Sequence, residues 1–450
     1  MTIREQTKKI FIAFVLGVIA FLAMVSFFTL PQALLVASIV FIVTLWTNEG
    51  LPLAVVSMLP IIMFPSFEIL TTKETTVNYA HPIIYLFMGG FLVAIAVEKT
   101  GLHKVIANKM LNIFPSSARG IIFALIITSG LLSSVLSNTT TTLLLLPIAL
   151  FLSEDIKLKM RLALGIAYGA SIGGILTPIG TPPNLILMGI MEEMGLEAIP
   201  FAKWMYIVSP LVLTMFIVVG FVLSMGLKDY KIDNKLKTEP LSKDQKKVVY
   251  VILSLIFLLI INAPIRPYYN GLGLSEPGIL LSAGLLLFAP PFSILNWMDD
   301  KHNIPYRIMF LFGAGFSIAS AFTKTGMAGE IATILTSYSS LSLLAFIIII
   351  AVIVTFTTEI TSNTALIAIM LPILYEVSKN AGIDPTIIMM VATVCASYAF
   401  MLPIATPPNA IAMSSGVISI KTMAMYGFIF NIVGIILIVT IANTFWINQI

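Results

Sequence analysis

Two short polar phrases set in apolar sequence occur twice in this 450-residue chain, at one fixed spacing. Ser137-Asn138-Thr139 recurs as Ser362-Asn363-Thr364, and TPIGTPPN from Thr177 recurs as LPIATPPN from Leu402. Both pairs lie 225 positions apart (137 to 362, 177 to 402). The same offset carries Lys99-Thr100-Gly101 onto Lys324-Thr325-Gly326, Gly89-Gly90-Phe91 onto Ala314-Gly315-Phe316, and Leu146-Pro147 onto Leu371-Pro372. About a hundred residues therefore repeat without net insertion. Polar tripeptides and Pro-Pro-Asn runs duplicated inside apolar sequence are the signature of a doubled binding site in a membrane.

The chain is 58% hydrophobic and 10% charged, more apolar surface than a soluble fold could hide. It reads as an all-α polytopic membrane protein. The apolar run from Ile10 to Leu30 is too long for a signal-peptide core and lacks a small-residue cleavage site, so it is expected as a retained first span. One cysteine, Cys395, excludes an intrachain disulfide and a cysteine-based metal site. His81, His103 and His302 are scattered and expected near span ends. A net charge of +4 gives no sign of nucleic acid, and the basic residues read instead as orientation signals.

Plain spans are expected near 10–30, 32–47, 50–65, 82–98, 205–226, 247–263, 277–290, 306–323 and 424–446. Two stretches, 119–195 and 341–415, resist that reading. Each holds an apolar run, the SNT tripeptide, a second apolar run, and a helix interrupted by TPPN. The simplest arrangement is a re-entrant hairpin turning at SNT (119–152 and 341–376), followed by a helix broken at its Pro-rich loop (157–195 and 384–415). Irregular backbone at membrane depth survives only when buried in protein or lining a wet cavity.

Eleven crossings follow, nine plain and two broken, and charge orients them. With the N-terminus inside, 20 of the 25 basic residues fall on the cytoplasmic side, from Arg4, Lys8 and Lys9 through Lys99 and Arg161 to Lys421. Lys73, Lys203, Arg266, Lys324 and Lys379 fall outside. Full double crossings in place of the hairpins would keep this parity. Lys99 then lies inside and its counterpart Lys324 outside, so the two copies are expected to be inverted. The C-terminus is expected outside. The lysine-rich segment from Lys228 to Lys247 joins the copies on the cytoplasmic side.

The second arm of each hairpin starts at SNT, so its N-terminal N–H groups and positive dipole end face the tip. Thr-Pro-Pro forces an unwound stretch, because proline donates no hydrogen bond and disfavours a helical predecessor. The breaks at Gly180-Thr181-Pro182-Pro183-Asn184 and Ala405-Thr406-Pro407-Pro408-Asn409 each free carbonyls and start another half-helix. No Arg, Lys or His lies within the four motifs. Half-helix N-termini are thus the available anion receptors, and carbonyl and hydroxyl oxygens the available cation ligands, which suits a small anion carried with Na⁺. Ser133 and Thr358 stand four residues before each SNT serine and share its helix face. Glu359 is a carboxylate at membrane depth. Its counterpart is Ser134, so it lies outside the symmetric core, and a hydrogen-bonding role is expected over ion binding.

At these residues the chain resembles the divalent anion:sodium symporter (DASS) family, which includes the INDY-type di- and tricarboxylate transporters. The paired SNT motifs, the paired TPPN loops and the run TEITSNTA from Thr358 to Ala365 carry the resemblance, which covers roughly residue 30 to the end. It implies a homodimer in the plasma membrane and an elevator mechanism. The cargo would be a C4-dicarboxylate such as succinate, fumarate or malate, or the related 2-oxoglutarate or citrate. It implies scaffold helices at 1–118 and 249–340, transport parts at 119–226 and 341–450, and a linker at 227–248. The substrate carboxylates would be held by Ser137, Asn138, Thr139, Thr181, Ser362, Asn363, Thr364 and Thr406. One Na⁺ would use Ser133, Ser137, Asn138 and the carbonyl of Gly180. The other would use Thr358, Ser362, Asn363 and the carbonyl of Ala405, where the first copy has glycine. Some relatives are sodium-independent exchangers, and the intact hydroxyl set favours sodium coupling.

Two other classes fit poorly. A serine nucleophile needs a base, and no histidine lies near either SNT, so the chain is not expected to be an enzyme. A channel needs no inverted pair of hairpins closing one shared site.

Overall fold

The computed structural model describes residues 3–227, 240–264, 268–327, 329–330, 333 and 342–450. Most of the expected linker, and Arg266, lie outside the described residues. The described chain is all-α. Among the described residues six helices are long and apolar enough to cross a membrane: Ile3–Met24, Leu30–Asn48, Thr72–Lys99, Phe201–Ser224, Tyr306–Thr325 and Ile420–Asn448.

Two of the expected plain spans differ in the structure. The stretch at 50–65 forms two short helices, Leu53–Val56 and Leu59–Ser66, because Pro60, in the first turn of the second, has no N–H to continue the first. The span at 277–290 is the 11-residue helix Glu276–Leu286, opened by Pro277 and ended before Pro290-Pro291. A further amphipathic helix, Leu102–Ile113, buries Leu102, His103 and Ala107 and joins Pro82–Lys99 to the first hairpin.

A pair of helices flanks each SNT tripeptide. Ala118–Ser133 and Asn138–Phe151 make the first, and Leu343–Thr357 and Asn363–Asn380 the second. The broken helices are Ile156–Gly174 with Pro182–Glu193, and Pro385–Ala396 with Pro407–Ser414. At 1.5 Å per residue the first hairpin's arms of 16 and 14 residues are short of a hydrocarbon core about 30 Å thick.

Packing crosses between the copies. Pro182–Glu193 packs on the second hairpin's return arm, and Pro407–Ser414 packs on the first hairpin's return arm. One large apolar core holds both hairpins, both broken helices and the flanking spans. A smaller cluster ties Leu30–Asn48 and its neighbours to Tyr306–Thr325. Ile3–Met24 stays peripheral, burying only Ala13 and Gly17.

The two KTG-ending helices run antiparallel. Ser317 donates to the Thr75 carbonyl, Asn78 to Ser320, and Lys324 Nζ reaches Glu74 at 2.6 Å. At the other end Lys99 Nζ meets Asp300 at 2.6 Å. Each lysine thus pairs with an acid of the other copy, at opposite ends of the layer, as inverted repeats require. Close approach is built in with glycine: a Cβ on Gly89 would collide with the Leu280 backbone. Cys395 is a fully buried filler in the second broken helix.

Candidate functional site

Each hairpin tip is a helix start capped by its own serine. Ser137 Oγ accepts from Thr140 N at 3.1 Å, and Ser362 Oγ from Ala365 N at 3.5 Å. The next two amides, of Asn138 and Thr139 and of Asn363 and Thr364, fall among the first helical N–H groups, which have no intrahelical acceptor. Thr181 and Thr406 cap the half-helices after each break in nearly the same backbone shape, with φ −144° and −141°. Both are buried. Their helices open with two prolines, so these N-termini lack the first two N–H donors. The unpaired helix-start N–H groups therefore belong to the arms that begin at SNT, and the breaks offer mainly carbonyl oxygen.

An oxygen cluster sits under the first tip. Ser133 Oγ donates to Asn138 Oδ1 at 2.6 Å. Gly174 flanks both this amide and the break: a Cβ there would lie 2.6 Å from Asn138 Oδ1 and 3.2 Å from the Gly180 carbonyl oxygen. Hydroxyl, amide oxygen and freed carbonyl are thus brought together. The second copy repeats the pair. Thr358 Oγ1 donates to Asn363 Oδ1 at 2.7 Å and lies 2.9 Å from the Ala396 carbonyl. Ala405 is buried beside its break, whereas Ser362 is exposed at its tip.

The backbone freed by each break is satisfied by side chains, as the membrane interior demands. Asn184 Nδ2 lies 2.9 Å from the Thr177 carbonyl, with Gly174 and Ile175 carbonyls at 3.4 and 3.3 Å. Trp204 Nε1 also donates to Ile175 O. Thr177 Oγ1 in turn donates to the Ser134 carbonyl in the hairpin. In the second copy Asn409 Nδ2 donates to Ala399 O at 2.9 Å and Leu402 O at 3.0 Å. Glu359 accepts from Met401 N at 2.9 Å, Leu402 N at 3.0 Å and Asn431 Nδ2 at 2.7 Å. Its two oxygens are occupied by hydrogen bonds, the role expected for it.

A cavity of about 210 Å³ adjoins the first tip, lined by Leu136, Ser137 and Thr140 on one side and by Phe91, Ala94, Ile95, Glu98 and Asn303 on the other. Ser137 Oγ donates to Thr140 Oγ1 at 2.9 Å. Thr140, Thr177, Asn431 and the clamping role of Asn184 and Asn409 escaped the sequence reading. The asparagines stood inside the repeated motif. Asn431 stands in the middle of an apolar helix, and its partner Glu359 is 72 positions away.

Comparison with known proteins adds three findings. The family described as Citrate transporter matches residues 39–395. The sodium-dependent dicarboxylate transporter SdcS of Staphylococcus aureus strain USA300 is 34% identical over 483 aligned residues, covering 97% of this chain and 92% of that one. The protein of the same name from strain MRSA252 matches equally. Among solved structures, the Alcanivorax borkumensis YdaH transporter superposes with TM-score 0.58 at 15% identity, over 93% of this chain and 98% of that one, a likeness of fold.

Proposed function

Because this chain belongs to the citrate transporter family, within the divalent anion:sodium symporters that its paired motifs resemble, we propose that it carries a dicarboxylate together with Na⁺ across the plasma membrane. It is a transporter and not an enzyme. The observation that carries the reading is the pair of oxygen clusters, Ser133–Asn138–Gly180 and Thr358–Asn363, at two helix starts whose motifs contain no basic side chain. The name of SdcS, a sodium-dependent dicarboxylate transporter, supports the same coupling.

A dianion in a low-dielectric interior must be neutralised where it binds. The free amides of the two hairpin arms would take its carboxylates, with Ser137, Asn138, Thr139 and Thr181 on one side and Ser362, Asn363, Thr364 and Thr406 on the other. Two Na⁺, as cargo, would occupy the hydroxyl and carbonyl oxygens beneath, the first at Ser133, Ser137, Asn138 and Gly180, the second at Thr358, Ser362, Asn363 and Ala405. Two monovalent cations and one dianion leave no net charge to move. Succinate, malate, fumarate, 2-oxoglutarate and citrate are the candidate acids.

The hairpins are re-entrant in this reading, which makes eleven crossings with the N-terminus cytoplasmic and the C-terminus outside. The short hairpin arms support it. Contacts between distant segments also sort as the charge count does: Lys99 with Asp300 on one face, Lys324 with Glu74 on the other. The cavity beside Ser137 includes Glu98 and Asn303 of the first face, which favours an inward-facing state. The transport parts at 119–226 and 341–450 form the moving part of an elevator, and the scaffold helices at 1–118 and 249–340 hold a homodimer together.

Proteoliposomes test this directly. Labelled succinate should accumulate in empty vesicles only under an inward Na⁺ gradient. Uptake confined to succinate-preloaded vesicles and indifferent to Na⁺ would make the protein an exchanger instead.

A further inference from the structure

We propose that Asn184 and Asn409, the closing residues of the two Pro-Pro-Asn runs, are positioning residues that set the Na⁺ affinity of the two cation pockets. The inference rests on the symport reading. Both asparagines are fully buried, and both sit at the third position of a half-helix that begins with two prolines. Their Nδ2 atoms reach equivalent carbonyls, those of Gly174 and Thr177 in one copy and of Ala399 and Leu402 in the other. Those carbonyls flank the unwound turn. The side chain thus ties the end of one half-helix to the start of the next, with Gly180 or Ala405 held between.

Each clamp also reaches its hairpin. Thr177 is held at its carbonyl by Asn184, and its hydroxyl donates to the Ser134 carbonyl. Leu402 is held at its carbonyl by Asn409, and its N–H donates to Glu359. Ser134 and Glu359 directly follow Ser133 and Thr358, the hydroxyls of the two oxygen clusters. The two copies use different chemistry for this last link, yet arrive at the same position. The amide oxygens of both asparagines are buried without a partner among the described residues, so each residue serves through its N–H groups alone.

A cation pocket built partly from a loop carbonyl depends on where that carbonyl is held, and outer partners of metal ligands commonly tune affinity. Alanine removes both N–H donors. Asn184→Ala and Asn409→Ala should each raise the Na⁺ concentration for half-maximal uptake about tenfold. The dicarboxylate KM at saturating Na⁺ should stay within about twofold, since the anion amides are on the hairpin arms. Serine at either position retains one donor and should give a smaller rise, which keeps the test decisive where an alanine variant does not fold. The stabilisation that Na⁺ gives the purified protein on heating should weaken in parallel. Unchanged Na⁺ dependence in both positions, or equal rises in Na⁺ requirement and dicarboxylate KM, would overturn the clamp. Sodium-independent uptake by the unaltered protein would instead overturn the symport reading.

Discussion

Ser133 and Asn138 meet across the first hairpin tip, the serine hydroxyl donating to the amide oxygen at 2.6 Å, and Thr358 and Asn363 repeat the contact at 2.7 Å. The four residues between them are the turn itself. On the proposed function, Na⁺ would bind both oxygens of each contact, the hydroxyl keeping its proton and turning it away from the amide oxygen. Ser133→Ala and Thr358→Val should each raise the Na⁺ requirement about 10- to 100-fold. Asn138→Ala and Asn363→Ala should abolish transport while leaving the size-exclusion profile intact. Near-normal uptake by both asparagine variants would remove the site from these residues.

Glu359 separates a structural carboxylate from an ion ligand. Both of its oxygens accept hydrogen bonds, from Met401 N, Leu402 N and Asn431 Nδ2. Each buried donor left without an acceptor costs about 1–3 kcal/mol. Glu359→Ala should therefore lower the apparent Tm markedly, and Glu359→Gln less, because glutamine retains one oxygen. The number of Na⁺ moved per dicarboxylate should be the same in Glu359→Gln as in the native protein. A lower ratio would make Glu359 a cation ligand.

The two lysine pairs should differ in weight although their contact distances match. Lys99 meets an Asp300 whose side chain is 8% exposed and which also accepts from Asn296 N at 2.7 Å. Removing one partner of a buried charge pair strands the other, whereas exposed pairs contribute little. Asp300→Ala should lower the apparent Tm measurably, and Lys324→Ala should leave it near the native value, because both Glu74 and Lys324 are about half exposed and Glu74 keeps its cap on Thr71. Equal losses would mean that the difference in exposure does not separate the two pairs.

Much of this arrangement is visible in the sequence because polar residues are conspicuous in apolar surroundings. The 225-residue offset locates both hairpin turns, and Ser137 and Ser362 mark the first residues of their return arms. Pro182-Pro183 and Pro407-Pro408 mark the breaks for the same reason. What stays hidden depends on partners remote in sequence. Nothing local to Asn184 names its acceptors, and nothing near Pro407 says that its helix will rest on the first hairpin. Helix Leu102–Ile113 escaped because it is amphipathic and too polar to read as a span. The missing donors of the Pro-Pro helix starts were legible in principle, since proline alone dictates them.

The Gly130–Gly173 contact of the first copy has no counterpart at the matching positions of the second, and that asymmetry makes a last prediction. A Cβ on Gly173 would collide with the Gly130 backbone, and one on Gly169 would press on Ile126, so Ile156–Gly174 lies backbone to backbone against Ala118–Ser133. The counterparts of Gly130 and Gly173 are Thr355 and Tyr398, and the Tyr398 ring packs instead on Gly434 of Ile420–Thr444. Gly173→Ala should cost about 1–3 kcal/mol, because the obstacle is main chain and cannot swing aside. The strain has one direct outlet. Gly174, the next residue, abuts the Asn138 amide and the Gly180 carbonyl, so parting the helices moves the first oxygen cluster. Gly173→Ala should thus lower the apparent Tm and raise the Na⁺ requirement together, measured on the same preparation. A fall in Tm with unaltered Na⁺ dependence would place the first cation away from this helix end.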